Sequence, residues 1–206
     1  MTEKIILLVG GFILLVNTIL YFKTYPKRIS LKIFTSYLFI MLVIQIISNL
    51  LWYFKEENLY LSHYYFILQF ILLSLFYREL FIDRKKKRII QITFFVVMSV
   101  LGIQYINTPS LYHKFNLLEI VLTSLSIVSF SVLYFYNSLT EKMEFTYVNS
   151  GIFIYLISST LIFCSGNFTN AYDSSLDKIL WLFNSILFVV YQILIFMEWY
   201  KNYRKT

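Results

Sequence analysis

The 206-residue chain has little of what a soluble enzyme carries. Only 14% of it is charged, and it has one cysteine, two prolines and five glycines. Soluble domains carry about 25% charged residues and interrupt their apolar runs far more often. Cys164, standing alone, excludes an internal disulfide and a cysteine-based metal cluster. His63, His113 and Cys164 make no metal-ligand spacing, so no metal and no cofactor is expected. There is no Gly-x-Ser-x-Gly, no His-Glu-x-x-His and no pair of aspartates inside an apolar run, which argues against hydrolase and intramembrane-protease chemistry. No apolar segment has an acid or base at its centre, so proton- or sodium-coupled transport lacks its usual carrier. The last segment has Lys178 only at its edge, which removes the lysine a retinal Schiff base needs. Strict alternation of apolar and polar residues, the barrel pattern, is absent too.

What is present is apolar length. The chain is 59% hydrophobic, with a mean hydropathy of +0.69. Backbone groups in hydrocarbon must bond internally, so such runs imply helices. Seven segments suffice to cross a bilayer core of about 30 Å at 1.5 Å per residue: 5–22, 29–54, 59–82, 89–106, 115–136, 147–168 and 176–200. The expectation is an all-α polytopic membrane protein, one seven-helix transmembrane domain over residues 1–206. The first segment carries most of its charge after the apolar run, at Lys23, Lys27 and Arg28, and shows no small-residue cleavage site; it reads as a retained helix rather than a signal peptide.

Direction comes from Arg84-Lys85-Lys86-Lys87-Arg88, read as a loop between the third and fourth segments. A Lys or Arg at the centre of a membrane helix costs about 2.5–3.5 kcal/mol on insertion scales, so five together stay on the cytoplasmic side. One side then holds fourteen basic residues: Lys23, Lys27, Arg28, Lys32, Arg78, Arg84 to Arg88, Lys142, Lys201, Arg204 and Lys205. The other holds four: Lys4, Lys55, Lys114 and Lys178. This asymmetry predicts the N-terminus outside and the C-terminus inside, in a bacterial inner membrane. The net charge of +7 is accounted for by these loops facing anionic headgroups, without nucleic acid. Outer turns are expected at 55–58, 107–114 and 169–175, the last carrying Asp173. Spans 1–3 and 5–7 would run in matching directions, with Glu79 and Glu198 at similar inner ends, but the matching is too thin to assert a repeat.

Polar side chains inside such a protein normally face other helices, because lipid offers them no partner. Many fall in the expected outer halves. Gln45 and Asn49 lie one turn apart, His63 and Gln69 follow on the third segment, and Glu119 and Thr123 share a stripe on the fifth. Ser159 is on the sixth segment, and Trp181 and Asn184 are on the seventh. These nine would suit an outward-opening pocket for a small polar or amphipathic ligand; equally, they would bond to one another and hold helices together. Glu119 reads either as an acid favoured by a helix N-terminus or as a group that binds a cation, carries a proton or receives an amine. His63 reads as an interfacial anchor or a switch. Arg78 and Glu79 read as a snorkelling pair or an inner latch. Arg84 to Arg88 set topology, and would also contact anionic lipid or an acidic cytoplasmic partner.

Three stretches carry a resemblance: Tyr64–Leu80 (YYFILQFILLSLFYREL), Tyr155–Phe168 (YLISSTLIFCSGNF) and Leu180–Lys201 (LWLFNSILFVVYQILIFMEWYK). With the Phe163-Cys164-Ser165-Gly166-Asn167 run, they make the chain resemble uncharacterised small seven-helix membrane proteins of Bacteroidota-type bacteria, which are similar to membrane portions of sensor kinases. The resemblance implies signalling through a separate partner, because this chain has no kinase domain, and it transfers no catalytic residue. The expected function is therefore a small sensory or receptor-like module and not an enzyme. It would couple an outward polar pocket to a cytoplasmic signalling protein, with a homo-oligomer left open. The rivals are an uncoupled transporter, facilitator or oligomeric pore; a lipid-modifying enzyme with Glu119 and His63 as acid and base; and a purely structural or assembly subunit.

Overall fold

The computed structural model describes residues 2–24, 28–169 and 174–204. Among them are seven α-helices and no strand: α1 Thr2–Lys23, α2 Ile29–Tyr53, α3 Tyr60–Leu80, α4 Arg84–Asn107, α5 Leu117–Ser138, α6 Thr146–Thr169 and α7 Ser174–Asn202. A 3₁₀ turn, Pro109–His113, lies between α4 and α5. All seven helices are long and apolar enough to cross a membrane. Burial runs opposite to that of a soluble protein. Asn17, Glu119 and Glu198 are fully buried, whereas Phe12, Phe95, Leu161 and Ile103 are more than half exposed. Such an exterior is stable against lipid chains, and the buried polar groups, set among apolar and aromatic side chains, find partners that lipid would not offer.

The start of the fourth helix differs from the sequence expectation. Arg84 to Arg88 are not a loop but the first turns of α4. Asp83 starts the helix, its carboxylate accepting from the Lys85 backbone N–H at 2.9 Å. Lys and Arg are good helix formers, so nothing local stops the helix from extending this far. The outer turn expected at 107–114 contains the 3₁₀ turn, begun by Pro109. Most of the turn expected at 169–175, residues 170–173, lies outside the described residues, as do Pro26, Lys27 and Lys205.

The chain groups into two compact units, Met1–Tyr25 with Ser131–Thr206, and Pro26–Phe130. In the first, α7 packs against both α1 and α6. Two glycines allow it. A Cβ on Gly10 would stand 2.6 Å from Phe188 Cδ1, and one on Gly151 would stand 2.7 Å from Tyr191 Cδ2. Polar groups pin these contacts. The Asn17 amide donates to the Gln192 carbonyl at 2.9 Å and to its side chain at 3.1 Å, and the Trp199 indole donates to the Thr24 hydroxyl at 2.9 Å.

In the second unit, α3 packs against α2 and α4. Aromatic side chains fill the seams: Phe34 meets Phe76 at 5.2 Å, and Phe70 stacks on Phe94 at 5.7 Å. The start of α5 joins the same unit, with Phe130 against Tyr77. Among the described residues, α4 buries only Ile90, Val97 and Leu101, fewer than α2 or α3.

Candidate functional site

Asn116 precedes α5 and caps it. Its carbonyl accepts from Ile120 N–H and its side-chain oxygen from Glu119 N–H, both at 3.3 Å. In a capping box the acid three residues after the cap turns back to the cap's own N–H. Here the Glu119 carboxylate turns instead toward α3 and α4. The His63 Nδ1 lies 3.3 and 3.2 Å from its two oxygens. The Tyr105 hydroxyl donates to Glu119 Oε2 in a short contact, and its oxygen lies 2.8 Å from His63 Nδ1. His63 is 4% exposed and Glu119 0%, while Tyr105 is half-buried, so three helices deliver an imidazole, a phenol and a carboxylate to one point.

A second layer fixes the first. The Asn116 amide donates to the Tyr105 oxygen at 3.3 Å and to Gln104 Oε1 at 3.1 Å, and the Gln104 amide returns a bond to Asn116 at 3.3 Å. Tyr112, on the 3₁₀ turn, stacks on the His63 ring at 6.0 Å and on Tyr60 at 6.1 Å. Its hydroxyl meets that of Tyr64 at 3.1 Å, and this hydrogen bond, followed by desolvation, holds the Tyr112 phenol above its ordinary pKa. Beside this aromatic cover is a cleft of about 300 Å³ lined by Glu57, Asn58, Leu59, Tyr60 and His113.

The layout has a chemical consequence. With Glu119 as a carboxylate and the phenol donating to it, the groups around His63 Nδ1 are acceptors, and Nδ1 is then the nitrogen that carries the proton. In the neutral ring, Nε2 then presents a bare lone pair. That atom is buried and has no hydrogen-bond partner among the described residues. Buried polar atoms normally find a partner, and one left without costs about 1–3 kcal/mol. The cluster can thus receive a hydrogen-bond donor at Nε2, or take a proton from one, with the carboxylate steadying the charge that forms.

Among the nine sequence candidates, the structure brings His63 and Glu119 together. Thr123 sits one turn below and spends its hydroxyl on the Glu119 carbonyl at 2.7 Å. Gln69 is buried but bonds elsewhere, to Tyr37 at 3.3 Å and Tyr65 at 3.4 Å. Gln45 is half-buried and Asn49 exposed on α2. Ser159, Trp181 and Asn184 belong to the other unit. There Ser159 bonds the Leu156 carbonyl at 3.3 Å, Trp181 is exposed with its ring edge on Phe163, and the Asn184 side-chain oxygen is buried without a partner among the described residues. Sequence reasoning passed over Tyr105, Gln104, Asn116 and Tyr112. The Asn-x-x-Glu spacing of 116–119 was the one local signal pointing to Asn116.

The first unit holds a second buried acid. Glu198 accepts from the Phe145 N–H at 3.1 Å, the Tyr147 N–H at 2.9 Å and the Asn202 amide at 2.5 Å. It thereby fills the N-terminus of α6 with negative charge, which the unsatisfied N–H groups and helix dipole favour. Phe145 pays locally, with a left-handed φ of 68° that is unusual for an aromatic residue. Around it is a cleft of about 890 Å³ lined by residues that include Glu141, Lys142, Glu144, Lys201 and Tyr203. The Lys201 ammonium sits 4.5 Å from the Tyr147 ring and donates to its hydroxyl.

Comparison with known proteins brings no matching family model, curated protein or solved structure.

Proposed function

We propose that this protein is a small membrane sensory module whose input is the His63–Tyr105–Glu119 cluster. The observation that carries the reading is the unpartnered His63 Nε2, buried and oriented by two partners on its other nitrogen. A small amphiphile with an O–H or N–H donor would complete it. Tyr105 lies at one end of α4 and Arg84 to Arg88 at the other, about 25–30 Å apart at 1.5 Å per residue. α4 is lightly held, so a ligand that moves Tyr105 has a rigid lever to the basic end. By the charge asymmetry the cluster lies outside and the basic end inside a bacterial inner membrane, where a cytoplasmic partner would read it. The resemblance to the membrane portions of sensor kinases favours the same direction. The C-terminal cleft around Lys201 offers a second inner surface for that partner or for a second copy of the chain.

The test uses purified protein in nanodiscs, with thermal shifts against a panel of small alcohols and amines of increasing chain length. A compound that stabilises the wild type but not His63→Phe supports the sensor, and shifts that are equal in both proteins count against it. Crosslinking in membranes then compares the wild type with a Lys85, Lys86, Lys87→Gln variant. A protein captured by the first and lost in the second names the output. Solute flux in liposomes, with no such partner, would make the chain a facilitator or pore instead.

The His63–Glu119 contact also favours a second reading, a lipid-modifying enzyme in which Nε2 is a general base backed by the carboxylate. Lipid turnover by the purified protein that is abolished in His63→Gln would establish it.

A further inference from the structure

The end of α4 remote from Tyr105 carries an unresolved electrostatic problem. Its first turns are Arg84 to Arg88, with no acid among them. A helix N-terminus already carries about half a positive charge, and each cation there is disfavoured. The Asp83 carboxylate is engaged with Lys85 N–H. The nearest cation on α3 is Arg78. Among the described residues its ion pair, to the adjacent Glu79, spans 3.8 Å, too long for a hydrogen bond, and its buried Nε has no partner.

Between α3 and α4 the structure leaves a space of about 140 Å³, lined by Ser74, Leu75, Arg78, Ile90, Gln91, Phe94 and Phe95. Ser74 is decisive. Helix hydroxyls in this protein usually bond the carbonyl one turn back, as in Thr18, Thr35, Thr123, Ser126 and Thr160. Ser74 is 2% exposed, and its hydroxyl has no hydrogen-bond partner among the described residues. An unpartnered hydroxyl and an unpartnered guanidinium nitrogen thus meet one cavity, a turn apart on α3.

Helical spacing continues the site along α4. Arg84, Lys87, Arg88, Gln91, Phe94 and Phe95 fall on one strip, at offsets of 0, 3, 4, 7, 10 and 11 residues. Cations occupy one end and aromatic rings the other, about 10 Å apart from Arg88 to Phe95. Phe95 is 66% exposed. That gradient, charge passing into exposed aromatic surface, is the gradient of a phospholipid from headgroup to acyl chain.

We propose that the α3–α4 groove binds one anionic phospholipid, its phosphate between Arg78, Ser74 and the basic first turns of α4, and its acyl chain against Phe94 and Phe95. The phosphate oxygens accept from the guanidinium and the Ser74 hydroxyl, and the negative charge neutralises the cationic helix start. The site is separate from the His63 cluster and stands whether or not that cluster senses a ligand.

The experiment titrates the delipidated full-length protein in neutral detergent with dioleoylphosphatidylglycerol or dioleoylphosphatidylcholine, and counts retained lipids by native mass spectrometry. One phosphatidylglycerol should be retained with a preference of about tenfold or more over phosphatidylcholine. Arg78→Gln should erase most of that preference, and Ser74→Ala should reduce it by about three- to fivefold. Gln91→Glu places a like charge at the exposed mouth without touching the core and should also erase it, which protects the test if Arg78→Gln folds poorly. Lys114→Gln, an exposed cation outside the groove, should change nothing. Equal retention of the two lipids overturns the proposal, as does a preference unchanged in both Arg78→Gln and Gln91→Glu. Displacement of the lipid by glycerol 3-phosphate at comparable concentration would mean a soluble-phosphate site and also overturn it.

Discussion

Replacing Glu198 separates a structural staple from an ordinary intramembrane hydrogen bond. Its carboxylate accepts two backbone N–H groups, from Phe145 and Tyr147, and the Asn202 amide. Glu198→Ala orphans the N–H of Phe145, a residue that is 1% exposed, and a buried donor left so costs about 1–3 kcal/mol. Tyr147 is half-buried, so water softens its loss to about 1 kcal/mol. The anion at the start of α6 contributes a further 1 kcal/mol or so in a partly buried setting. The expected destabilisation is about 3–5 kcal/mol. Glu198→Gln keeps the volume and one acceptor oxygen and should cost only about 1–2 kcal/mol, the gap between charged and neutral hydrogen bonds. The assay is reversible unfolding in mixed micelles, with amide exchange followed at residues 145–147. If the three bonds are worth only the membrane average of about 0.6 kcal/mol each, Ala costs under about 2 kcal/mol and Gln costs nearly the same. That result, or amides at 145–147 that exchange no faster in Ala than in wild type, would refute the reasoning.

Three other outcomes follow from particular atoms. Lys55 sits at the end of α2 with φ 60°, where its N–H bonds the Trp52 carbonyl at 3.1 Å and the Glu56 N–H bonds Leu51 at 2.9 Å; Lys55→Gly should stabilise by about 1 kcal/mol, read as a raised unfolding midpoint. Gly151→Ala drives a methyl into Tyr191, itself stacked on Tyr155 at 5.3 Å, and should cost about 1–3 kcal/mol; Gly11→Ala meets nothing within 4 Å and should stabilise by about 0.5–1 kcal/mol, so equal effects in a melting assay would contradict the packing. Tyr105→Phe removes the hydroxyl shared by Glu119, His63 and Asn116 and should cost about 1–3 kcal/mol in the same assay, with a changed ¹⁵N imidazole spectrum for His63; an unaltered spectrum would mean that the phenol is not part of the cluster.

The helices were legible because a bilayer demands only length and apolarity, and both are local properties of sequence. Their faces were not. Lipid and protein interior are equally apolar, so Phe12 and Phe188 look alike in sequence although the first is 65% exposed and the second 9%. A periodic hydrophobic stripe, the usual guide to a buried face, therefore has little to report. The few polar and small residues carry that information instead, and they do so unevenly. Gly10, Gly151 and Asn17 mark where α7 passes, yet nothing local says which helix passes there. His63 and Glu119 were legible as candidates, each by its cost in lipid, but their pairing needed three helices to be assembled. Glu198 was misleading for a related reason. Three residues before the basic tail at Lys201 it reads as an acid at the inner end of its span, whereas two of its partners are backbone N–H groups some fifty residues away, which no side-chain pattern displays. The basic run shows the converse. The side of the membrane expected for the five cations rests on their charge and not on their conformation, so the change from loop to helix leaves that expectation untouched. The helical form adds something the loop lacked: it aligns Arg84, Lys87 and Arg88 above Phe94 and Phe95, and so turns a charge count into a directional surface.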